Sequence, residues 1–348
     1  MQQKTNKARI LLIYTGGTIG MVKDYRTGAL KAFNFNDLLT KIPELYQLEC
    51  SISSIAFKHP LDSSNMSPLV WSKLAEIIEG NYKQFDGFVV LHGSDTMSYT
   101  AAALSFMLEN LRKPVILTGS QLPIGDLRTD AKENLITAIQ IASLTDGDEA
   151  VVQEVCLYFE YKLYRGNRTT KINAEHFQAF NSPNYPPLLE SGVRLDTRYP
   201  YLYRCKDRTA NLVVHKKMDA SVGVLKLFPG LSIELLNAVL NASGLRVLVL
   251  ETFGAGNAPT ADGFLTALRE AIENGLHIIN VTQCVGGSVL MGQYETSEHL
   301  GKIQLVNGKD ITTESAVTKA MYLLGKDTPD TQFKGVFESP LRGEMRQN

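Results

Sequence analysis

The sequence predicts an α/β protein of two domains: a larger N-terminal one built on a mainly parallel sheet with flanking helices, and a smaller C-terminal α/β domain. Three observations carry this. Short apolar runs alternate with helix-like patterns along most of the chain, as in a parallel sheet covered by helices. A stretch rich in Pro, Tyr and Arg, residues 181–215, interrupts the alternation, and a shorter alternating block follows it. The chain has 348 residues, 44% of them apolar and 20% charged, which suits two ordinary domains that fold without disulfide or metal.

The elements follow in order. Residues 10–14 are a β-rich apolar run that Gly16-Gly17 cuts off, so they read as a first strand. The run is shorter than the roughly 7–15 residues of a signal-peptide core. Ser67 caps a helix with Pro68 in its first turn, with Leu74, Ile77 and Ile78 on one face and Gly80 at its end. Residues 87–91 are a buried strand, 99–108 a small-residue buried helix, 114–117 a strand, 133–143 a helix and 155–159 a strand. After the irregular stretch come strands at 222–228, 246–250 and 277–281, alternating with helices at 232–241, 263–274 and 314–324. The expected division is 1–200, a linker at 201–215, and 216–348. No solenoid repeat or low-complexity segment occurs.

Composition narrows the function. Lys plus Arg total 35 against 36 Asp plus Glu, a net charge of -1, so no basic excess is present to neutralise phosphates and nucleic acid is not an expected partner. No apolar run approaches the roughly 20 residues that span a bilayer, so no membrane association is expected. Cys50, Cys156, Cys205 and Cys284 lie far apart, unlike a zinc site or a disulfide framework, and no metal is expected. These features fit a cytoplasmic enzyme or small-molecule binder.

Parallel sheets place ligands beyond the carboxyl ends of their strands, and polar clusters fall at four such exits. Thr15-Gly16-Gly17-Thr18 is either a plain glycine turn or a site where backbone approaches a ligand, and it lacks the Gly-Lys-Ser/Thr ending of a phosphate loop. His92-Gly93-Ser94-Asp95-Thr96 sets a hydroxyl beside a carboxylate and also suits a helix cap. His92 is a base or, as a lone histidine more often is, a hydrogen-bonded structural residue, and it is not counted among the catalytic candidates. Leu61-Asp62-Ser63-Ser64-Asn65 is a polar loop or part of a site. Residues 164–171 carry Arg165, Arg168 and Lys171, either a solvated face or the setting of a catalytic lysine with Thr169 and Thr170 as hydroxyl neighbours. The Gly119-Ser120-Gln121 turn lies at the same rim and reads as scaffolding or loop positioning.

Taken together, the motifs resemble the bacterial-type L-asparaginase family, specifically its cytoplasmic type I branch. T-G-G-T-I-G stands at 15–20, H-G-S-D-T-M at 92–97, S-F-M-L-E-N-L at 105–111 and L-Y-R-G-N-R-T-T-K at 163–171. G-A-G-N-A-P follows at 254–259, T-Q-C at 282–284 and L-R-G-E at 341–344. The resemblance implies hydrolysis of L-asparagine to L-aspartate and ammonia, with no cofactor. It implies Thr18 as nucleophile, with Ser94 in the place of the second catalytic threonine. Lys171 falls at the catalytic lysine and Asp95 at the carboxylate that holds the substrate ammonium. Asp62, Ser63 and Ser64 match the substrate-binding loop. Asn257 matches a residue that reaches a neighbouring subunit's site, so a homodimer or homotetramer is implied.

Physical chemistry makes these roles reasonable. A zwitterionic substrate needs a fixed anion for its amine and donors for its carboxylate. Amide hydrolysis needs a nucleophile, a proton route and an oxyanion site, for which backbone N–H groups near Ser94 are the expected donors. An unperturbed lysine, of pKa about 10.4, is only about 0.04% neutral at pH 7, so Lys171 acts either with a depressed pKa or as a cation beside a hydroxyl.

Departures from the family pattern carry their own expectations. Ser94 keeps the hydroxyl and loses one methyl. The mobile-loop tyrosine has no counterpart at Gly28-Ala29, leaving Tyr25 and Tyr294 as candidates. At an activating asparagine site found in some type I members, Thr170, Gln283 and Cys284 match contacts, but Glu251 stands where an arginine would meet the effector carboxylate. A glutamate there repels it, and hyperbolic saturation is expected. A glutaminase-asparaginase, a non-catalytic amino-acid sensor and a nucleotide-dependent enzyme are the rival readings. Retention of both Thr18 and Lys171 counts against the sensor, and a weak glutaminase side activity is expected of the asparaginase.

Overall fold

The computed structural model describes residues 7–23, 30–32, 42–205, 207–291 and 303–347. The chain divides into two compact units, Met1–Lys216 and Lys217–Asn348. The stretch 201–215, expected as a linker, is counted with the first unit, where Val213–Val214 pairs antiparallel with Leu108–Glu109.

The first unit is built on β1 (Ala8–Gly16), β2 (Cys50–Leu61), α1 (Pro68–Asn81), β3 (Gly87–Leu91), α2 (Met97–Met107), β4 (Val115–Thr118), α3 (Ala131–Ala142) and β5 (Val155–Phe159). It continues with β6 (Lys162–Arg165), the short hairpin β7 (Thr170–Lys171) and β8 (Phe180–Asn181), then β9 (Leu189–Ser191) and β10 (Leu195–Thr197). Its eight-stranded sheet has the order β10-β9-β6-β5-β4-β3-β1-β2. The run from β2 to β5 is parallel, and β6, β9 and β10 extend it antiparallel. The strands β3, β4 and β5 are buried along their whole length, as continuous apolar runs covered on both faces must be. Glu160 and Tyr161, at φ +43° and +67°, make the two-residue turn that joins β5 to β6.

Helix α2 is buried at every residue except Tyr99, which explains why its sequence is small and apolar all round. Ser67 stands at the N-cap of α1, but its side chain accepts no capping bond; its carbonyl takes the N–H groups of Val70 and Trp71 instead. The edge strand β2 has no counterpart in the sequence reading, and β9 and β10 lie in the stretch read as irregular.

The second unit holds β11 (Val222–Lys226), α4 (Ile233–Leu240), β12 (Val247–Thr252), α5 (Asp262–Glu273), β13 (His277–Thr282), β14 (Val306–Asn307), α6 (Thr313–Gly325) and α7 (Asp330–Phe337). Its four strands form a parallel sheet in chain order. A buried ion pair secures its end. Lys319, fully buried, donates to the carbonyls of Phe337 (2.6 Å) and Ser339 (2.7 Å) and to the Glu344 carboxylate. Glu344 also accepts from the backbone N–H groups of Leu341 (3.0 Å) and Arg342 (2.7 Å). Burial alone would raise the Glu344 carboxyl, but Lys319 and these N–H groups hold it below its ordinary value.

Candidate active site

The carboxyl ends of β1 and β3 meet around Gly93. Past Tyr14, β1 runs into Gly16 and Gly17 at φ +135° and +87°, where only glycine sits without strain. A Cβ on Gly17 would lie 2.5 Å from the Gly93 Cα, and one on Gly16 would lie 2.1 Å from the Leu61 carbonyl oxygen. The glycine turn therefore exists so that its backbone can touch the two neighbouring loops. Thr15, fully buried, donates its hydroxyl to the Leu91 carbonyl at 3.0 Å and ties β1 to the end of β3. Thr18 opens a single 3₁₀ turn, Thr18–Gly20, and is partly exposed. Tyr14 donates its hydroxyl to the Gly20 carbonyl at 3.2 Å, and burial pushes that phenol up to about 12, so it remains a donor.

The loop after β2 reaches the same point. Asp62 caps the short turn Ser63–Asn65, accepting from the Ser64 N–H (2.9 Å) and the Ser64 hydroxyl (2.8 Å). These two bonds hold its carboxyl below the usual range. Ser63 is buried, and a Cβ on Gly93 would lie 2.6 Å from its Oγ. Thr96 donates its hydroxyl to the Ser63 carbonyl at 2.7 Å, which is why this N-cap residue of α2 makes no side-chain cap.

Ser94 and Asp95 follow directly after Gly93. Lys171 Nζ donates to Ser94 Oγ at 2.8 Å and to Asp95 Oδ1 at 2.7 Å, bridging residues 77 and 76 positions away in sequence. The lysine side chain is largely shielded, while the Asp95 side chain is 66% exposed. The hydroxyl partner expected beside Lys171 is thus Ser94. Thr169 instead donates to the Gly166 carbonyl at 2.8 Å, closing the turn before β7. Arg165 and Arg168 are both buried, so of the two readings of this segment the solvated face does not hold for them. Arg165 is paired with Glu154 at 2.7 Å and lies over the Tyr185 ring, which anchors β6 ahead of the Lys171 hairpin.

Gln121, whose turn is expected to serve as scaffolding or to position a loop, meets both Ser94 and the segment after Lys171. Its Oε1 accepts from the Ser94 hydroxyl at 3.3 Å, and its Nε2 donates to the carbonyls of Ala174 (3.2 Å) and His176 (3.0 Å), just past Lys171. Its own backbone N–H is held by Asp130 at 2.9 Å. One amide thus joins the Ser94 hydroxyl to the Lys171 hairpin. The turn in which it sits gave no local signal of this contact.

Tyr25 and Tyr294 lie outside the described residues. Thr170 belongs to the first unit, and Glu251, Gln283, Cys284 and Asn257 to the second, so each is placed within its own unit. Asn257 exchanges backbone hydrogen bonds with Phe253 across a tight turn. Gln283 spends its amide on the carbonyls of Leu227 (2.6 Å) and Glu251 (2.9 Å), and Glu251 accepts from the Thr313 hydroxyl at 2.6 Å. Cys284 is exposed.

Comparison with known proteins gives a consistent result. A family model described as "Asparaginase, N-terminal" matches residues 9–202, and one described as "Glutaminase/Asparaginase C-terminal domain" matches 221–337. L-asparaginase 1 of Escherichia coli K12 is 41% identical over 343 residues, covering 97% of this chain and 98% of that protein. The 60 kDa lysophospholipase of Mus musculus is 39% identical, and the match covers 97% of this chain but 62% of that longer protein. Among solved structures, L-asparaginase I of Vibrio cholerae superposes with a TM-score of 0.89 at 38% identity, covering 98% of this chain and 99% of that one.

Proposed function

Because the chain belongs to the asparaginase family, we propose that it hydrolyses L-asparagine to L-aspartate and ammonia through an ester on Thr18. One observation carries the reading: Lys171 grips Ser94 and Asp95 at once, on the loop whose Gly93 touches the turn that presents Thr18.

The steps balance as acyl transfer. Thr18 Oγ attacks the side-chain amide carbon, its proton passes to the amide nitrogen, and ammonia leaves. A water held at Ser94 then adds to the ester. Its proton returns to Thr18 as aspartate departs. The oxyanion formed in each step is met by backbone N–H groups at Ser94. Such donors count for most where they are fixed before the reaction.

Asp95 serves both substrate and lysine. Its Oδ1 takes Lys171, and its largely exposed carboxylate also accepts the substrate ammonium. Ser63 and the loop N–H groups face the substrate carboxylate, and Asp62 holds that loop in shape. Lys171 works as a donor that orients the Ser94 oxygen. Asparagine is preferred to glutamine by the fit of one methylene, a difference worth about 10- to 200-fold, so weak glutaminase activity accompanies the main one. Asn257 completes the site from a second copy in a homodimer or homotetramer, and one of Tyr25 and Tyr294 assists Thr18. The type I motifs support work in the cytoplasm, and Glu251 supports hyperbolic saturation by asparagine.

The test is ammonia release from asparagine and from glutamine, with Thr18→Ala alongside. Turnover of asparagine that vanishes in Thr18→Ala supports the reading. A folded protein that asparagine stabilises against heat, yet that releases no ammonia from either amide, overturns it in favour of a sensor.

A further inference from the structure

His92 opens the H-G-S-D-T-M motif, and the mechanism above leaves it unused. It is fully buried, yet both of its ring nitrogens are engaged. Nδ1 lies 2.6 Å from the Gly93 carbonyl oxygen and Nε2 lies 2.9 Å from Thr100 Oγ1. A carbonyl only accepts, so Nδ1 carries the hydrogen. In a neutral ring Nε2 is then an acceptor, and the Thr100 hydroxyl donates to it. The Thr100 oxygen in turn accepts from the indole Nε1–H of Trp71 at 3.0 Å, completing a directed chain from Trp71 through Thr100 and His92 to Gly93. Burial pushes the imidazole down to about 4, which keeps the ring in this neutral form at ordinary pH. The backbone beneath the ring is fixed too, since the His92 N–H donates to the Thr118 carbonyl at 2.9 Å.

The carbonyl that this chain holds belongs to the Gly93–Ser94 peptide. In a planar trans peptide the C=O and N–H point in opposite directions. Holding the Gly93 oxygen against the buried ring therefore turns the Ser94 N–H the other way, toward the rim where Ser94 and Asp95 stand. Glycine at 93 brings no side chain of its own to fix this peptide, since a Cβ there would lie 2.6 Å from the Ser63 Oγ. The imidazole supplies that missing restraint.

We propose that His92 is a positioning residue that locks the Gly93–Ser94 peptide with its N–H directed at the oxygen of the reacting amide. The inference rests on the acyl-transfer reading and deepens it: the transition-state donor is held by a neutral histidine, and Thr100 fixes that histidine's tautomer.

The experiment compares kcat, KM and melting temperature for asparagine hydrolysis across five proteins: wild type, His92→Leu, His92→Asn, Thr100→Val and Thr100→Ser. Loss of one preorganised oxyanion donor costs about 100- to 1000-fold in kcat, so loosening it in His92→Leu lowers kcat by about 10- to 100-fold. KM changes little, because the lost interaction forms only in the transition state. His92→Asn places an amide N–H where Nδ1–H stood and recovers most of the rate. Thr100→Val lowers kcat in the same way, whereas Thr100→Ser, which keeps the hydroxyl, does not. Should His92→Leu fail to fold, the Asn, Val and Ser variants carry the test. Variants that lose melting temperature but keep wild-type kcat overturn the positioning role and leave His92 as packing alone. A wild type that releases no ammonia overturns the acyl-transfer reading and this inference with it.

Discussion

Lowering the pH acts on the fold through His92. The ring is fully buried and its pKa stands at about 4, against 6.5 for an exposed imidazole. Between those values the unfolded chain binds a proton that the native chain does not, so stability rises with pH across this window and falls as the pH is lowered through it. Above about 6.5 neither state is protonated and the group contributes no slope; below about 4 both are protonated and the loss is complete. At about 1.4 kcal/mol per pH unit, that interval comes to about 3 kcal/mol. The assay is urea unfolding of wild type and His92→Asn at intervals from pH 8 to pH 4. Carboxylates elsewhere titrate alike in both proteins and cancel in the difference. The expected result is a wild-type advantage that shrinks by about 3 kcal/mol between pH 7 and pH 4. A difference that stays flat over this range refutes the reasoning, since it means the imidazole binds its proton equally well in the native and unfolded states.

Three other perturbations test the site and its supports. Ser94→Thr adds back one methyl, worth about 0.8 kcal/mol, so the rate of ammonia release changes by no more than several-fold; a change of orders of magnitude contradicts the view that only the hydroxyl matters. Gly17→Ala puts a methyl 2.5 Å from the Gly93 Cα at φ +87°. Denaturation should show a loss of about 1–3 kcal/mol, with most activity gone because the Thr18 turn can no longer lie against Gly93. Lys319→Met strands the buried Glu344 carboxylate and should cost about 3–5 kcal/mol, much of it recovered in Lys319→Met/Glu344→Leu; a double variant as unstable as the single one would refute the ion-pair account.

How far the sequence revealed the molecule depended on whether the signal was local. Strand β3 was legible because its five residues are all apolar and all buried. The start of α1 was legible from Ser67-Pro68, although the expected hydroxyl cap is made by no side chain there. Strand β2 was missed because an edge strand covered on one side can mix Ser, Lys, His and Pro among its apolar residues, which blurs the alternation. Helix α7 was missed too, although Phe333 and Phe337, four residues apart and both buried, follow Pro329. At the site, residue types were readable but pairings were not. Thr169 and Thr170 adjoin Lys171 in sequence, yet the lysine meets a serine 77 positions away. Gln121 showed nothing in its own segment, because each of its side-chain contacts is tertiary.

The meeting of loops at Gly93 also bears on the order of events in folding. Gly17, Ser63, Gly93 and Lys171 come from four segments spread over more than 150 residues, and no two of them are neighbours in the chain. Closing such long loops is slow compared with forming helices. During refolding from urea, helical signal should therefore return well before hydrolytic activity, and the lag between the two would time the arrival of the last loop at Gly93.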